Sequence, residues 1–134
     1  LVYYQGQLAG YYTTSVDGLR LEYIVEKKTS KSYVKLGRAM VDKIPSIKIG
    51  RLAIQRTWQN RGVGRHIVRH IIGYATDLSE TTAVRLVIVE SKPQSISFYL
   101  KCGFQMSIET RGERKRKNRT LFFDIQDVKD VVGY

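Results

Sequence analysis

The sequence predicts an α/β domain with a mixed sheet. Three observations carry this. Apolar residues recur at helical spacing between Val63 and Leu78. Short β-branched and aromatic runs stand on both sides of that segment. Turn residues join several of those runs in pairs, as in hairpins.

The elements follow in chain order. LVYY is β-branched and aromatic, QGQ supplies a tight turn, and LAGYYTTSV is again strand-like, so the chain opens on a β-hairpin. LRLEYIVE suits either a further strand or an irregular arm, and the basic KKTSKSYVKLGR reads as a loop. IPSIKIGRLAIQ, from Ile44, is apolar around Ile47 to Ile54 and reads as a central strand. RTWQNRGVG then leads into a helix whose apolar face is Val63, Ile67, Val68, Ile71, Ile72, Ala75 and Leu78. AVRLVIVE is a buried type of strand. SKPQSISFYLKCGF reads as a short helix, with Pro93 in the first turn and Gly103 just past the end. FQMSIE and TLFFDIQ are two more strands, joined by the charged hairpin loop RGERKRKNR.

The stretch QNRGVGRHIV raises the first functional question. A glycine turn entering a helix leaves N–H groups pointing forward, and the helix dipole adds partial positive charge. That is an anion seat, with Arg61 and Arg65 adding formal charge. A turn flanked by solvated arginines would read the same from this stretch alone. The spacing fits neither a P-loop nor a dinucleotide fingerprint, whose third glycine would fall at Ile67.

The 134 residues amount to one domain, 1–134, with no linker or internal repeat. A formal charge of +11 points to a polyanionic partner, whether nucleic acid, anionic membrane or a phosphorylated cofactor. One cysteine, Cys102, excludes an internal disulfide and suits a reducing compartment. Neither a membrane span nor a signal peptide is legible, so a cytoplasmic location is expected, with no membrane partner. The first residue, Leu1, reads as the start of a fragment, a processed product or an incomplete chain. His66 and His70 stand four apart on the helix with no third ligand. They read as part of a solvated basic face, and no metal is expected.

The order strand, Gln-x-x-Gly-x-Gly, helix, strand, Phe-Tyr-x-x-x-Gly-Phe is carried by IGRLAIQRTWQNRGVG and FYLKCGF. It resembles the GNAT superfamily of acetyl-CoA-dependent N-acetyltransferases, from about Ile47 to Phe104 and more loosely in the flanking hairpins. GYYTTS, IPSIKIGRLAI and WQNRGVGR also resemble a subset, the toxins that acetylate tRNA. The resemblance implies an α/β (α+β) fold with a mostly antiparallel sheet and helices on its faces. The family's initial strand and two helices are missing before Leu1. It implies acetyl-CoA as cofactor and an unidentified primary amine as acceptor. For the subset it implies the α-amine of aminoacyl-tRNA, with tRNA and an antitoxin as partners. A homodimer stays open. A rival of another class is a nucleic-acid-binding module that keeps the fold without the chemistry.

By that resemblance, Leu52, Ala53 and Ile54 offer main-chain groups to the pantetheine arm and the thioester carbonyl. Gln59, Asn60, Arg61, Gly62, Val63, Gly64 and Arg65 hold the pyrophosphate. Tyr99 protonates the leaving thiolate; an ordinary phenol, with a pKa near 10, is protonated at neutral pH and can donate. Two positions depart from the family. Lys92 stands where many members carry asparagine, and Lys48 where some carry a glutamate base. Glu90 is then the nearest candidate base, and equally a strand-end surface carboxylate. Without a strong base, a lysine ε-amine costs about 4–5 kcal/mol to deprotonate at pH 7 and an α-amine only about 1. Such a site suits a weakly basic amine. The basic run Arg111–Arg119 adds a candidate contact for RNA phosphate.

Overall fold

The computed structural model describes residues 1–20, 43–108 and 117–132. The chain opens with strands β1 (Val2–Tyr4) and β2 (Gln7–Arg20), joined through Gln5 and Gly6. Both turn residues have positive φ, 49° and 77°, the conformation of the two-residue turns that match strand twist. The expected hairpin is therefore present. β2 runs on through Leu19 and Arg20. The rest of LRLEYIVE and all of KKTSKSYVKLGR lie outside the described residues.

β3 (Lys43–Ile54) pairs with β2 in antiparallel fashion. A 3-10 turn at Arg56–Trp58 and a glycine loop lead into helix α1 (Val63–Leu78). Ile67, Val68, Ile71, Ile72 and Ala75 of α1 are buried, as the apolar stripe requires. β4 (Leu86–Ser91) follows, then α2 (Ile96–Lys101), β5 (Gln105–Met106), β6 (Arg119–Asp124) and α3 (Gln126–Val132).

The six strands described form one sheet in the order β1-β2-β3-β4-β6-β5. Among them only β3 and β4 run parallel. The sheet is thus mixed and mostly antiparallel, as expected. The continuous apolar run of β4 is explained by burial on both faces. Val87 and Val89 join Ile47, Ile49 and the α1 side chains in one core, while Leu86 and Ile88 meet Leu19, Ile44 and Phe122 in another.

Two strand expectations need correction. TLFFDIQ is not strand to its end. The Asp124 carboxylate accepts the Gln126 N–H at 3.0 Å, which ends the ladder and starts α3. Arg85 grips the same carboxylate through Nε at 3.2 Å and a terminal nitrogen at 3.1 Å. FQMSIE pairs only at Gln105 and Met106. The Ser107 N–H and hydroxyl both reach the Thr120 carbonyl, at 3.0 and 2.8 Å, and close the strand. The hairpin loop of the basic run lies outside the described residues up to position 116.

β3 and β4 pair only from Ser46↔Leu86 to Ile49↔Val89. Beyond Ile49, β3 stays with β2 and leaves β4. A bulge sits at that point: Thr13 faces Arg51 and Thr14 faces Ile49, so Gly50 is the extra residue. Thr13 Oγ1 accepts the Arg51 N–H at 2.9 Å, and a Cβ on Gly50 would stand 2.7 Å from that oxygen.

The Arg85–Asp124 pair ties β4 to the start of α3, and its side chains are 25% and 10% exposed. Asp124→Ala leaves a half-buried guanidinium without this partner and removes the helix cap. It should lower unfolding free energy by about 2–4 kcal/mol in urea titrations. Asp124→Asn should recover the capping share only.

Candidate active site

The parting of β3 from β4 opens two clefts that meet. One, of about 590 Å3, is walled by Leu52, Ile54, the loop residues Trp58–Asn60 and Gly62–Arg65, and α2. The other, of about 810 Å3, is walled by Tyr11, Lys48–Ala53, Val89–Lys92, Gln94 and Asn118. Leu52, Ser95 and Tyr99 belong to both. Tyr99 therefore stands at the junction.

Strand geometry decides which main-chain groups face the gap. The Arg51 and Gln55 N–H groups point at β2, to Thr13 Oγ1 and the Ala9 carbonyl. Ala53, two residues from each, turns the same way, and a Cβ on Gly10 would strike its carbonyl oxygen. Leu52 and Ile54 turn the other way, into the gap. The main-chain groups of Ala53 thus face β2, while the residue also lines the second cleft. Gln59 Nε2 donates to the Ile54 carbonyl at 2.9 Å, which pins the loop to the end of β3.

The two loop glycines have different causes. Gly62 is the N-cap of α1 at φ +83°, and a Cβ there would meet nothing. Gly64 permits close packing, since its Cβ would lie 3.1 and 3.3 Å from the Phe98 ring. Asn60 also has positive φ, 61°. No side chain caps α1, and its first turn has no acidic residue. The first intrahelical bond is His66 N–H to the Gly62 carbonyl at 3.1 Å. The N–H groups of Val63, Gly64 and Arg65 therefore lack intrahelical acceptors, as at any helix start. With the Arg65 side chain on the wall, this end of the cleft is built for an anion.

Arg61 is placed differently. Its guanidinium lies over the Trp58 ring, 5.2 Å from the centroid. Tyr4 of β1 meets the same indole edge-on, with centroids 5.0 Å apart. Trp58 lines the first cleft and Arg61 does not. Sequence reasoning missed this stack, because Tyr4 and Trp58 are far apart in the chain.

Tyr99 is held by aromatic neighbours, Phe98 at 5.0 Å and Phe104 at 5.5 Å. It is 6% exposed. Burial, with a smaller contribution from Cys102, pushes its phenol up to about 12. Burial also pushes the Cys102 thiol up, against Arg65 and Arg69, which pull it down.

The second cleft brings together residues that sequence reasoning had treated singly. Glu90, the candidate base, is on its wall with Tyr99. So are Lys48 and Lys92, the two departures from the family pattern, and Arg51. Lys48 Nζ stands 3.8 Å from an Asp17 oxygen, on an exposed surface. The signal for Arg51 was available in GRLAI, but only the bulge shows which way it faces. His70 packs edge-on to Tyr12 at 6.4 Å. Among the described residues no cluster of three metal-ligating side chains forms. No helix among them is long and apolar enough to cross a membrane.

The model of the acetyltransferase (GNAT) family matches residues 1–104. The chain belongs to this family. Among curated proteins it is similar to a tRNA-acetylating toxin of Mycobacterium tuberculosis, 31% identical over 74 residues, 54% of this chain and 45% of the toxin. It is also similar to a probable spermine N(1)-acetyltransferase of Bacillus subtilis subsp. natto, 26% identical over 115 residues, 84% of this chain and 64% of that protein. The chain thus spans from about half to two thirds of the curated relatives it matches. Among solved structures it resembles AtaT complexed with acetyl-methionyl-tRNAfMet, with a TM-score of 0.78 and 24% identity over 96% of this chain and 69% of that one. That likeness shows the fold.

The raised phenol pKa gives a test of the Tyr99 environment. The phenol is neutral when protonated, so with a folded pKa near 12 and an unfolded value near 10 the native protein binds more protons in between. Its share of stability is whole below pH 10 and is lost as pH rises through 12. Between pH 9 and 11 the chain should lose about 1 kcal/mol more stability than Tyr99→Phe in denaturant titrations. Equal losses would place the ring in a wetter site.

Proposed function

We propose that this chain catalyses transfer of an acetyl group from acetyl-CoA to the α-amine of an aminoacyl-tRNA. One observation carries the choice of acceptor: the cleft that meets the cofactor cleft at Tyr99 is walled by Lys48, Arg51 and Lys92, with Glu90 as its carboxylate. A polyamine is polycationic and is repelled by such a wall. A phosphodiester chain is attracted to it. Of the two activities named among the relatives, the charge favours the first. Lys48 stands where some family members carry a glutamate base, which fits the same acceptor, because an aminoacyl α-amine gives up its proton readily.

The residues fit the cofactor. The uncapped N–H groups at the start of α1 and the Arg65 side chain suit a pyrophosphate. Leu52 turns an N–H and a carbonyl into the gap, where an extended amide-bearing arm completes the broken ladder. When bound, acetyl-CoA supplies the activated acyl group. Tyr99 Oη holds a proton at the junction and donates a hydrogen bond toward the leaving sulfur. With its pKa near 12, full transfer to a thiolate near 8.5 runs uphill. The phenol therefore stabilises the departing sulfur through a hydrogen bond and keeps its own proton, while the proton given up by the attacking amine passes to the sulfur or to water. A binding module without chemistry has no use for a protonated phenol where two clefts meet. A toxin of this kind has an antitoxin partner, and the formal charge of +11 suits an acidic one. A cytoplasmic location fits the cofactor and the free Cys102.

Tyr99→Phe keeps the ring and its packing. It should lower kcat by about 10²–10⁴-fold with cofactor affinity held, read by steady-state kinetics and calorimetry. Near-normal turnover would assign the proton to solvent.

Exchanging Lys48, Arg51 and Lys92 for glutamine should weaken charged-tRNA binding and lower its salt slope by about one for each phosphate no longer neutralised. Acetyl-CoA affinity should hold. The wild-type chain should acetylate charged tRNA in preference to spermine and lysine peptides, and the reverse preference would overturn the acceptor assignment.

A further inference from the structure

Resting on the cofactor reading above, we propose that Arg61, held over the Trp58 indole, forms a separate subsite for the 3′-phosphate of coenzyme A. The seat at the start of α1 is walled by Val63, Gly64 and Arg65, and it needs no further cation for one pyrophosphate. Arg61 precedes the αL residue Gly62, lies outside the cleft wall, and has its guanidinium fixed 5.2 Å above the Trp58 centroid. An exposed arginine ordinarily moves among many rotamers. This one is stacked, and the platform under it is itself braced by Tyr4 at 5.0 Å. A guanidinium held over a ring is restrained while its in-plane N–H donors stay available to an anion.

Coenzyme A carries two anionic groups. The pyrophosphate lies nearer the thiol, and the 3′-phosphate lies beyond it on the adenosine ribose. The thiol end belongs at Tyr99, where the two clefts meet. A cation outside the cleft wall, next to the pyrophosphate seat, is therefore placed for the group that comes after the pyrophosphate. A phosphate monoester is close to doubly charged at neutral pH and suits a bidentate guanidinium. Trp58 acts here as a positioning residue. Lys101, on the opposite wall, is the competing cation.

The test compares coenzyme A with 3′-dephospho-coenzyme A by calorimetry on the full chain. Wild type should bind coenzyme A about tenfold tighter. Arg61→Ala should abolish that preference and leave dephospho-coenzyme A affinity unchanged. Trp58→Ala should also abolish the preference, read as the ratio of the two affinities because the indole lines the cleft itself, while Trp58→Phe, which keeps an aromatic platform, should retain most of it. Equal wild-type affinities would overturn the proposal. So would equal weakening of both ligands by Arg61→Ala, which would return Arg61 to the pyrophosphate. Loss of the preference in Lys101→Ala alone would move the subsite to α2. A Trp58→Ala chain that keeps the preference would remove Trp58 from it. Failure of wild type to bind either form would sink the cofactor reading itself. Because Trp58 is the sole tryptophan, emission changes in Lys101→Ala and Arg61→Ala report binding independently of heat.

Discussion

The extra residue at Gly50 is the constraint on which the site depends. Had β3 stayed in register with β4, the main-chain groups of Leu52 and Ile54 would be tied into a parallel ladder. Both clefts would be closed. The bulge bends β3 toward β2, and Thr13 Oγ1 takes the Arg51 N–H that the bulge would otherwise leave open. A side chain at position 50 would crowd that hydroxyl. The result is a stretch of central strand whose Leu52 main chain and Ile54 N–H face a gap in the middle of a sheet, the Ile54 carbonyl being taken by Gln59. A fold can keep such groups wet, or offer them to a ligand that is itself strand-like.

A second dependence links the anion seat to Tyr99. Gly64 lies in the first turn of α1 and touches Phe98, the residue before Tyr99 in α2. Phe104 and Phe123 continue the same aromatic packing below, with ring centroids 5.7 Å apart. The start of one helix and the turn of the other that carries Tyr99 are thus fixed by one contact. Gly103, at φ +95°, ends α2 and brings Phe104 back under Tyr99. Its missing side chain also leaves room for Phe123, whose ring a Cβ would approach to 3.2 Å. Two glycines from separate motifs therefore serve one purpose, which is to hold a phenol at a junction.

The charges are arranged in the same economical way. In the first cleft positive potential comes from main-chain dipoles and Arg65, which suits a small buried anion. In the second it comes from long side chains, Lys48, Arg51 and Lys92, which suits a large hydrated one. The two relatives act on amines of opposite surroundings, one on RNA and one a polyamine. Fold alone does not separate them. Under the acceptor proposed above, it is the sign of the second wall that favours tRNA.

Much of this was legible in the sequence because it is local. The α1 stripe, the Gln5–Gly6 turn, the doubly buried β4 run and the loop-to-helix anion seat each follow from residues within one turn or one strand of each other. The order of two short motifs implied the family. Local pattern failed where a distant residue competes for a main-chain group. Asp124 reads as part of a strand until its carboxylate, held by Arg85 just before β4, caps a helix instead. Gly50 looks like an ordinary strand glycine until Thr13, from the neighbouring strand, makes it a bulge. Arg61 reads like its loop neighbours until the fold sets its guanidinium over Trp58 and brings Tyr4, from the first strand, edge-on to that indole. The facing of Lys48, Arg51 and Lys92 into one cleft likewise needs the strand register. Periodicity and turn chemistry act over a few residues, so the elements and the glycine loop opening on a helix start could be read from the chain alone. Where β3 leaves β4, and which charges look into the gap, depend on pairing between distant strands, because a one-residue shift in that pairing reverses every side chain that follows.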